Sequence, residues 1–224
     1  NTRGAADFVG ATPMDRPEWT ATHPTNGDIY LTLTNNSSRN AGTGTNPPNP
    51  RLNNVNGHII RWHDEAGSTK FEWDIFVFGS DAGADADTNR SGLTALNQLA
   101  SPDGIAFDTR GVLWIQCDMS TSAMGKGDLK NFGNNMMLAA DVHTGEVRRF
   151  LVGPSGCEIT GLTATPDGRT MFLNIQHPGE LSKPLASGSA PQSMWPGNAG
   201  YGPQGRPRSA TIVITRKDGG VIGL

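Results

Sequence analysis

Three acidic residues, far apart in the chain, stand at corresponding places in three similar segments. Glu18 opens Glu18-Trp19-Thr20-Ala21-Thr22, which passes a turn at Asn26-Gly27 and returns through Ile29–Thr34 to Asn35. Asp103 opens Asp103-Gly104-Ile105-Ala106-Phe107, which turns at Asp108-Thr109-Arg110-Gly111 and returns through Val112–Gln116 to Asp118. Glu158 opens Glu158–Ala164, which turns at Pro166-Asp167-Gly168 and returns through Met171–Ile175 to Gln176-His177. Units stacked around one axis would bring Glu18, Asp103 and Glu158 into one ring and Asn35, Asp118 and Gln176 into a second. Crowded carboxylates raise each other's pKa unless cations neutralise them. Oxygen donors of the Asp, Glu and Asn type suit calcium, or ferric iron by the same hard-donor preference. The expected chemistry is therefore a metal-binding channel.

Acidic residues also serve as turn caps. Asp167, in Thr165-Pro166-Asp167-Gly168, reads that way. Asp103, in Ser101-Pro102-Asp103-Gly104, stands ahead of its strand, and both roles stay open for it. Glu18 and Glu158 have no turn to serve and read as ligands.

The elements that must position these residues are short strands. Between the three units lie outer hairpins: His58–Trp62 turning through Glu65-Ala66-Gly67 into Phe71–Phe78, and Met136–Asp141 turning through His143-Thr144-Gly145 into Val147–Val152. Two strands plus a hairpin make one four-stranded propeller blade, whose innermost strand lines a central channel. The fold class is all-β, a β-propeller with about three four-stranded blades, and a β-sandwich is the competing architecture. Three blades cannot close a ring, since a propeller needs at least about four. Residues 1–224 read as one partial propeller domain, the C-terminal portion of a ring expected to have six blades. Thr211–Ile214 and Val221-Ile222, flanking Lys217-Asp218-Gly219-Gly220, read as a closing hairpin. Loops are expected from about Ser37 to Asn54, from Asp81 to Asp87 and from about Leu181 to Arg208.

Composition supports that architecture and removes several function classes. With 29 Gly, 15 Pro and only 17 % charged residues, many tight turns and little helix are expected. A net charge of −3, with Lys and Arg scattered, gives no cationic field for nucleic acid. No apolar run is long enough to span a bilayer. The start, Asn1-Thr2-Arg3-Gly4, lacks a methionine and an apolar leader, so the chain reads as cut from something longer. Cys117 and Cys157 are too few for a disulfide framework or a zinc site, and a single bridge between them stays open.

Several stretches carry a family resemblance: Asp15-Arg16-Pro17-Glu18-Trp19, Leu33-Thr34-Asn35-Asn36, Asn56–Trp62, Ser101–Asp108 and Phe172–Glu180. In this order, across nearly the whole chain, they resemble the PhoX alkaline phosphatases. The resemblance implies a monomeric propeller exported through the twin-arginine route to the periplasm or beyond. It also implies a site combining ferric iron with calcium to hydrolyse small phosphomonoesters. Carried onto this sequence, Glu18 resembles the metal-ligating glutamate and Arg16 the phosphate-contacting arginine, whose planar fork suits phosphate oxygens. Asp118 and Glu158 resemble calcium ligands, with Asp103 and Asn35 beside them; His177, before Pro178-Gly179-Glu180, is a candidate to ligate metal or bind phosphate, while a lone histidine at a strand end more often serves as a hydrogen-bonded structural residue. The family also uses a cysteine and further acids from its N-terminal half, which are not in this chain, so the chain alone is expected to turn over little substrate.

Cys117 is not that cysteine: it neighbours Asp118 on a strand, so alternation points it into the core. His23, His58, His63 and His143 stand without evident partners and are assigned no chemistry. The five tryptophans read as packing residues between blades. A calcium-dependent lactonase-like propeller and a non-catalytic propeller scaffold remain the competing functions.

Overall fold

The computed structural model describes residues 1–183, 187–197 and 206–223. The first blade consists of β1 (Pro17–Thr22), β2 (Ile29–Leu33), β3 (His58–His63) and β4 (Glu72–Phe78), antiparallel and in sequence order. The second repeats the plan with β5 (Pro102–Phe107), β6 (Val112–Cys117), β7 (Met136–Asp141) and β8 (Val147–Val152). The third has β9 (Glu158–Ala164), β10 (Thr170–Gln176) and β11 (Ala210–Thr215), three strands among the described residues rather than the expected four. The opening strands β1, β5 and β9 lie side by side, so the expected inner layer exists.

Strand alternation explains how the blades stack. On β6, Leu113, Ile115 and Cys117 face the first blade and meet Tyr30, Ile59 and Val77. Trp114, one residue out of phase, faces the third blade with Ile159, Met171 and Leu173. β7 divides the same way, Met136 and Leu138 to one side and Met137 to the other. With a side-chain period of two, a strand covered on both faces carries an unbroken apolar run, and Val112-Leu113-Trp114-Ile115 is such a run. Trp114 is 1 % exposed, as a packing role requires, whereas Trp19 and Trp73 are 40 % and 39 % exposed.

Two expectations fail. Thr211–Ile214 does not form a hairpin with Val221-Ile222; as part of β11 it pairs with β10, Ile212 opposite Leu173. The Gly219-Gly220 turn is local, held by Arg216 and Asp218, and Ile222 is buried in the core that holds Trp114. The chain also opens with a short exposed helix, α1 (Thr2–Phe8), which periodicity did not announce. The expected loops at 37–54 and 81–87 carry no strand, while that at 181–208 lies partly outside the described residues. Among the described residues no helix is long and apolar enough to cross a membrane.

Candidate active site

Two of the three inner strands are irregular where their acid stands. In β1, Pro17 pairs with Leu33 but Thr20 already pairs with Leu31, so one extra residue bulges out around Glu18 and Trp19. In β5, Pro102 pairs with Cys117 and Ile105 with Ile115, which places the same bulge at Asp103 and Gly104. Bulges re-aim side chains and end regular pairing. Here they do so in the two strands that carry Glu18 and Asp103.

The approach to β1 is a buried polar knot. Asp15 is fully buried; its carboxylate accepts from Arg39 Nε at 2.8 Å, Asn36 Nδ2 at 2.9 Å and Asn54 Nδ2 at 3.1 Å. Arg39 Nη2 completes the pair at 2.7 Å, and the Asp15 N–H donates to Asn49 Oδ1 at 2.7 Å. Burial alone would raise the Asp15 pKa, but Arg39 and the two amides outweigh it and hold the group below its ordinary value. Asp15 is thus committed to Arg39, and the guanidinium of Arg16 goes elsewhere. Arg16 Nε donates to Glu18 Oε1 at 3.1 Å, and Nη2 donates to Asp118 Oδ2 at 3.2 Å, just past the end of β6. Partial burial opposes its charge, yet Asp118 and Glu18 together raise its pKa.

The remaining acids lie within electrostatic reach. Asp103 is 7 % exposed, and its Oδ1 is buried with no hydrogen-bond partner among the described residues. Burial first, then the charges of Glu18 and Asp118, lift its pKa to about 6. Glu158 is lifted to about 7, by burial and then by Asp118 and Asp103, while His177 pulls the other way. Burial also raises Asp118, against the pull of Arg16. Gln176 Nε2 donates to Glu158 Oε2 at 2.7 Å, and His177 Nε2 stands 3.4 Å from the same oxygen. Gln176 is therefore a neutral partner of Glu158.

The structure brings Arg16, Glu18, Asp103, Asp118, Glu158 and His177 to one end of the inner strands. Asn35, two residues beyond β2, makes no hydrogen bond to any of them among the described residues. Arg16, Ser101 and His177 all have positive φ, at 50°, 52° and 38°. Arg16 and Ser101 directly precede the strands that bear Glu18 and Asp103, and His177 follows Gln176, which pairs with Glu158; such backbone strain gathers at functional sites.

The donor set suits hard cations: carboxylates that raise one another's pKa, and a buried Asp103 oxygen with nothing bound to it. Among the described residues, however, no three His, Cys, Asp or Glu side chains are gathered closely enough to hold a metal ion. Cys117 and Cys157 are both free and buried, with burial pushing their thiols up to about 12 and about 11. Asp167 is the turn residue expected, accepting from Thr165 Oγ1 at 2.6 Å and the Arg169 N–H at 3.1 Å.

Some histidines do have partners. His58 bonds the Pro48 carbonyl at 2.7 Å and Asn54 at 3.1 Å, and His63 meets Asp28 at 2.9 Å. His23 accepts from the Thr25 and Asn26 amides. Their work is structural. Sequence reasoning missed Arg39, Asn49 and Asn54, the loop residues that fix Asp15 and so aim Arg16. No spacing signal marks them, because the loop folds back on Asp15 from outside the repeat.

The sequence model of the family described as alkaline phosphatase PhoX matches residues 1–179. The solved structure of Pseudomonas fluorescens PhoX in complex with vanadate, a transition state analogue, is similar at 45 % identity with a TM-score of 0.87. The match covers 99 % of this chain and 37 % of that one, so this chain spans little more than a third of that relative's length. A luciferin-regenerating enzyme matches at 8 % identity and TM-score 0.39, over 71 % of this chain and 37 % of that one. A gluconolactonase from Xanthomonas campestris matches at 14 % identity and TM-score 0.31, over 73 % of this chain and 55 % of that one. Neither likeness is close enough to carry an argument, and no curated protein matches the chain. The family match over 1–179 and the likeness to the Pseudomonas enzyme agree with the stacked blades, and the chain belongs to the PhoX alkaline phosphatase family.

Proposed function

We propose that this chain carries part of a metal-dependent phosphomonoester-hydrolysing site. The observation that carries the reading is Arg16, held between Glu18 and Asp118 beside the buried, unpartnered oxygen of Asp103. An anion receptor and a group of surplus carboxylates at one place suit a phosphate ester bridging cations and arginine.

In this reading Glu18, Asp103, Asp118 and Glu158 would hold the cations, calcium and ferric iron by the family resemblance, with Asn35 as a further oxygen donor. The cations supply Lewis-acid polarisation of phosphoryl oxygens. The chain's own residues do the rest. Arg16 presents its exposed guanidinium edge to the equatorial oxygens, where charge is spread in phosphoryl transfer, and it stays protonated because two carboxylates raise its pKa. Glu18 and Asp118 fix its orientation, so little rotamer freedom is lost when substrate arrives. His177 lies beside Glu158, from where it would reach phosphate or metal. Bound cations would offset the repulsion among the ionised acids, which couples cation binding to the stiffness of the inner strands.

By the same family reading, residues 1–224 are part of a larger monomeric propeller, and the whole protein is exported by the twin-arginine route to act in the periplasm or outside the cell. The test is hydrolysis of p-nitrophenyl phosphate by the metal-loaded protein carrying this chain, beside its Arg16→Ala variant. A loss of ~100-fold or more in kcat/KM is expected, of the size removal of one charge-stabilising donor produces. An Arg16→Ala enzyme that keeps its activity refutes the reading and favours a calcium-dependent lactonase-like hydrolase, which needs no arginine there. A protein with no bound metal by elemental analysis favours a scaffold.

A further inference from the structure

Thr32 is a hydroxyl residue in β2 with no exposure to solvent. Its Oγ1 accepts from the Trp19 N–H at 3.0 Å and donates to the Asp103 carbonyl at 2.8 Å, with the Trp19 carbonyl a longer alternative acceptor at 3.3 Å. Both ends of this link fall inside bulges. The β1 ladder passes from Pro17 to Thr20 and the β5 ladder from Pro102 to Ile105, so Trp19 and Asp103 lie in stretches without ladder pairing. Backbone groups freed by a bulge need other partners. One side chain serves two adjacent blades here because a hydroxyl donates and accepts at once. Trp19 directly follows Glu18, and Asp103 is itself one of the clustered acids.

We propose that Thr32 is a positioning residue that fixes the separation of Glu18 and Asp103 across the boundary between the first two blades, and thereby sets the cluster's affinity for a hard cation. This rests on the metal-binding reading of the site. Valine has nearly the shape of threonine but makes neither bond, whereas serine keeps both and loses only a methyl group. Outer partners that orient ligands typically change metal affinity ~10–100-fold when removed, and such an effect is expected here although Thr32 touches no carboxylate.

The test compares Thr32→Val and Thr32→Ser in the full protein that carries this chain, by amide hydrogen exchange and by calorimetric titration with calcium. In Thr32→Val the Trp19 amide should exchange at least ~30-fold faster while the Ile115 and Leu138 amides keep their protection. Calcium should bind ~10–100-fold more weakly. Thr32→Ser should restore both. A Trp19 amide as protected in Thr32→Val as in the wild type overturns the proposal, as does a faster amide with unchanged calcium affinity. A wild-type protein that takes up no calcium sinks the metal reading instead, and Trp19 exchange alone then decides whether Thr32 fixes the two acids. Should Thr32→Val not fold, Thr32→Cys, with its weaker donor and acceptor, carries the same comparison.

Discussion

Glu158→Gln removes a charge while preserving shape, and Gln176 can still donate to the new amide oxygen. Glu158 is 9 % exposed and its pKa is lifted from 4.5 to about 7 by burial and by Asp118 and Asp103. At 1.36 kcal/mol per unit, the charged form is disfavoured by ~3 kcal/mol, and screening at the open end of the channel reduces this to ~2 kcal/mol. The sign follows from proton linkage. Below the unfolded value the group is protonated in both states and the substitution changes little. As pH rises toward 7 the unfolded chain releases its proton first, so wild-type stability falls, and above 7 the whole cost is present. In a chelator, Glu158→Gln should therefore be more stable than wild type by ~2 kcal/mol at pH 8, or roughly 4–8 °C in Tm for a chain of this size. Near pH 4.5 the two should nearly coincide. Urea and thermal unfolding at both pH values check this. A variant less stable than wild type at pH 8, or displaced equally at both pH values, would refute the account of mutually repelling acids. With calcium added at pH 8 the order should invert, since the wild type gains a ligand that the variant lacks.

Further substitutions probe the supports. Asp15→Asn strips Arg39 of its counter-charge inside the fold and should cost ~3–5 kcal/mol, read as a lower urea midpoint; a neutral result would mean that water reaches Arg39. Gly57→Ala should cost at least ~2 kcal/mol, because φ is +67° and a Cβ would lie 2.1 Å from the Thr34 carbonyl oxygen, and failure of Tm to fall would show that this approach relaxes. The thiols of Cys117 and Cys157 should be nearly inert to an aromatic disulfide reagent at pH 8 and both react in urea; fast native labelling of either would contradict its burial.

Much of the site could be read from the sequence because a propeller turns sequence equivalence into proximity. Pro17-Glu18 and Pro102-Asp103 open β1 and β5 alike, and Glu158 opens β9, so their convergence followed from the repeat. What escaped the reading is whatever breaks periodicity or comes from outside it. A bulge leaves the residue types of a strand unchanged, so nothing in Glu18-Trp19-Thr20 marks the extra residue. Arg39 finds Asp15 from a loop whose course has no local signature. Gln176 occupies its expected place, but its amide is spent on Glu158. Lys217-Asp218-Gly219-Gly220 is a good hairpin turn by type, yet Ile212 and Ile214 pack better beside β10, and Ile222 is drawn instead into the core around Trp114. There tertiary burial overrides local turn chemistry.

The division of the acids among blades has its own consequence. Glu18 belongs to the first, Asp103 and Asp118 to the second and Glu158 to the third, so no single blade carries the whole acidic cluster. In the proposed site, cation retention would be a property of docking, gained only as neighbouring blades meet and lost as they part.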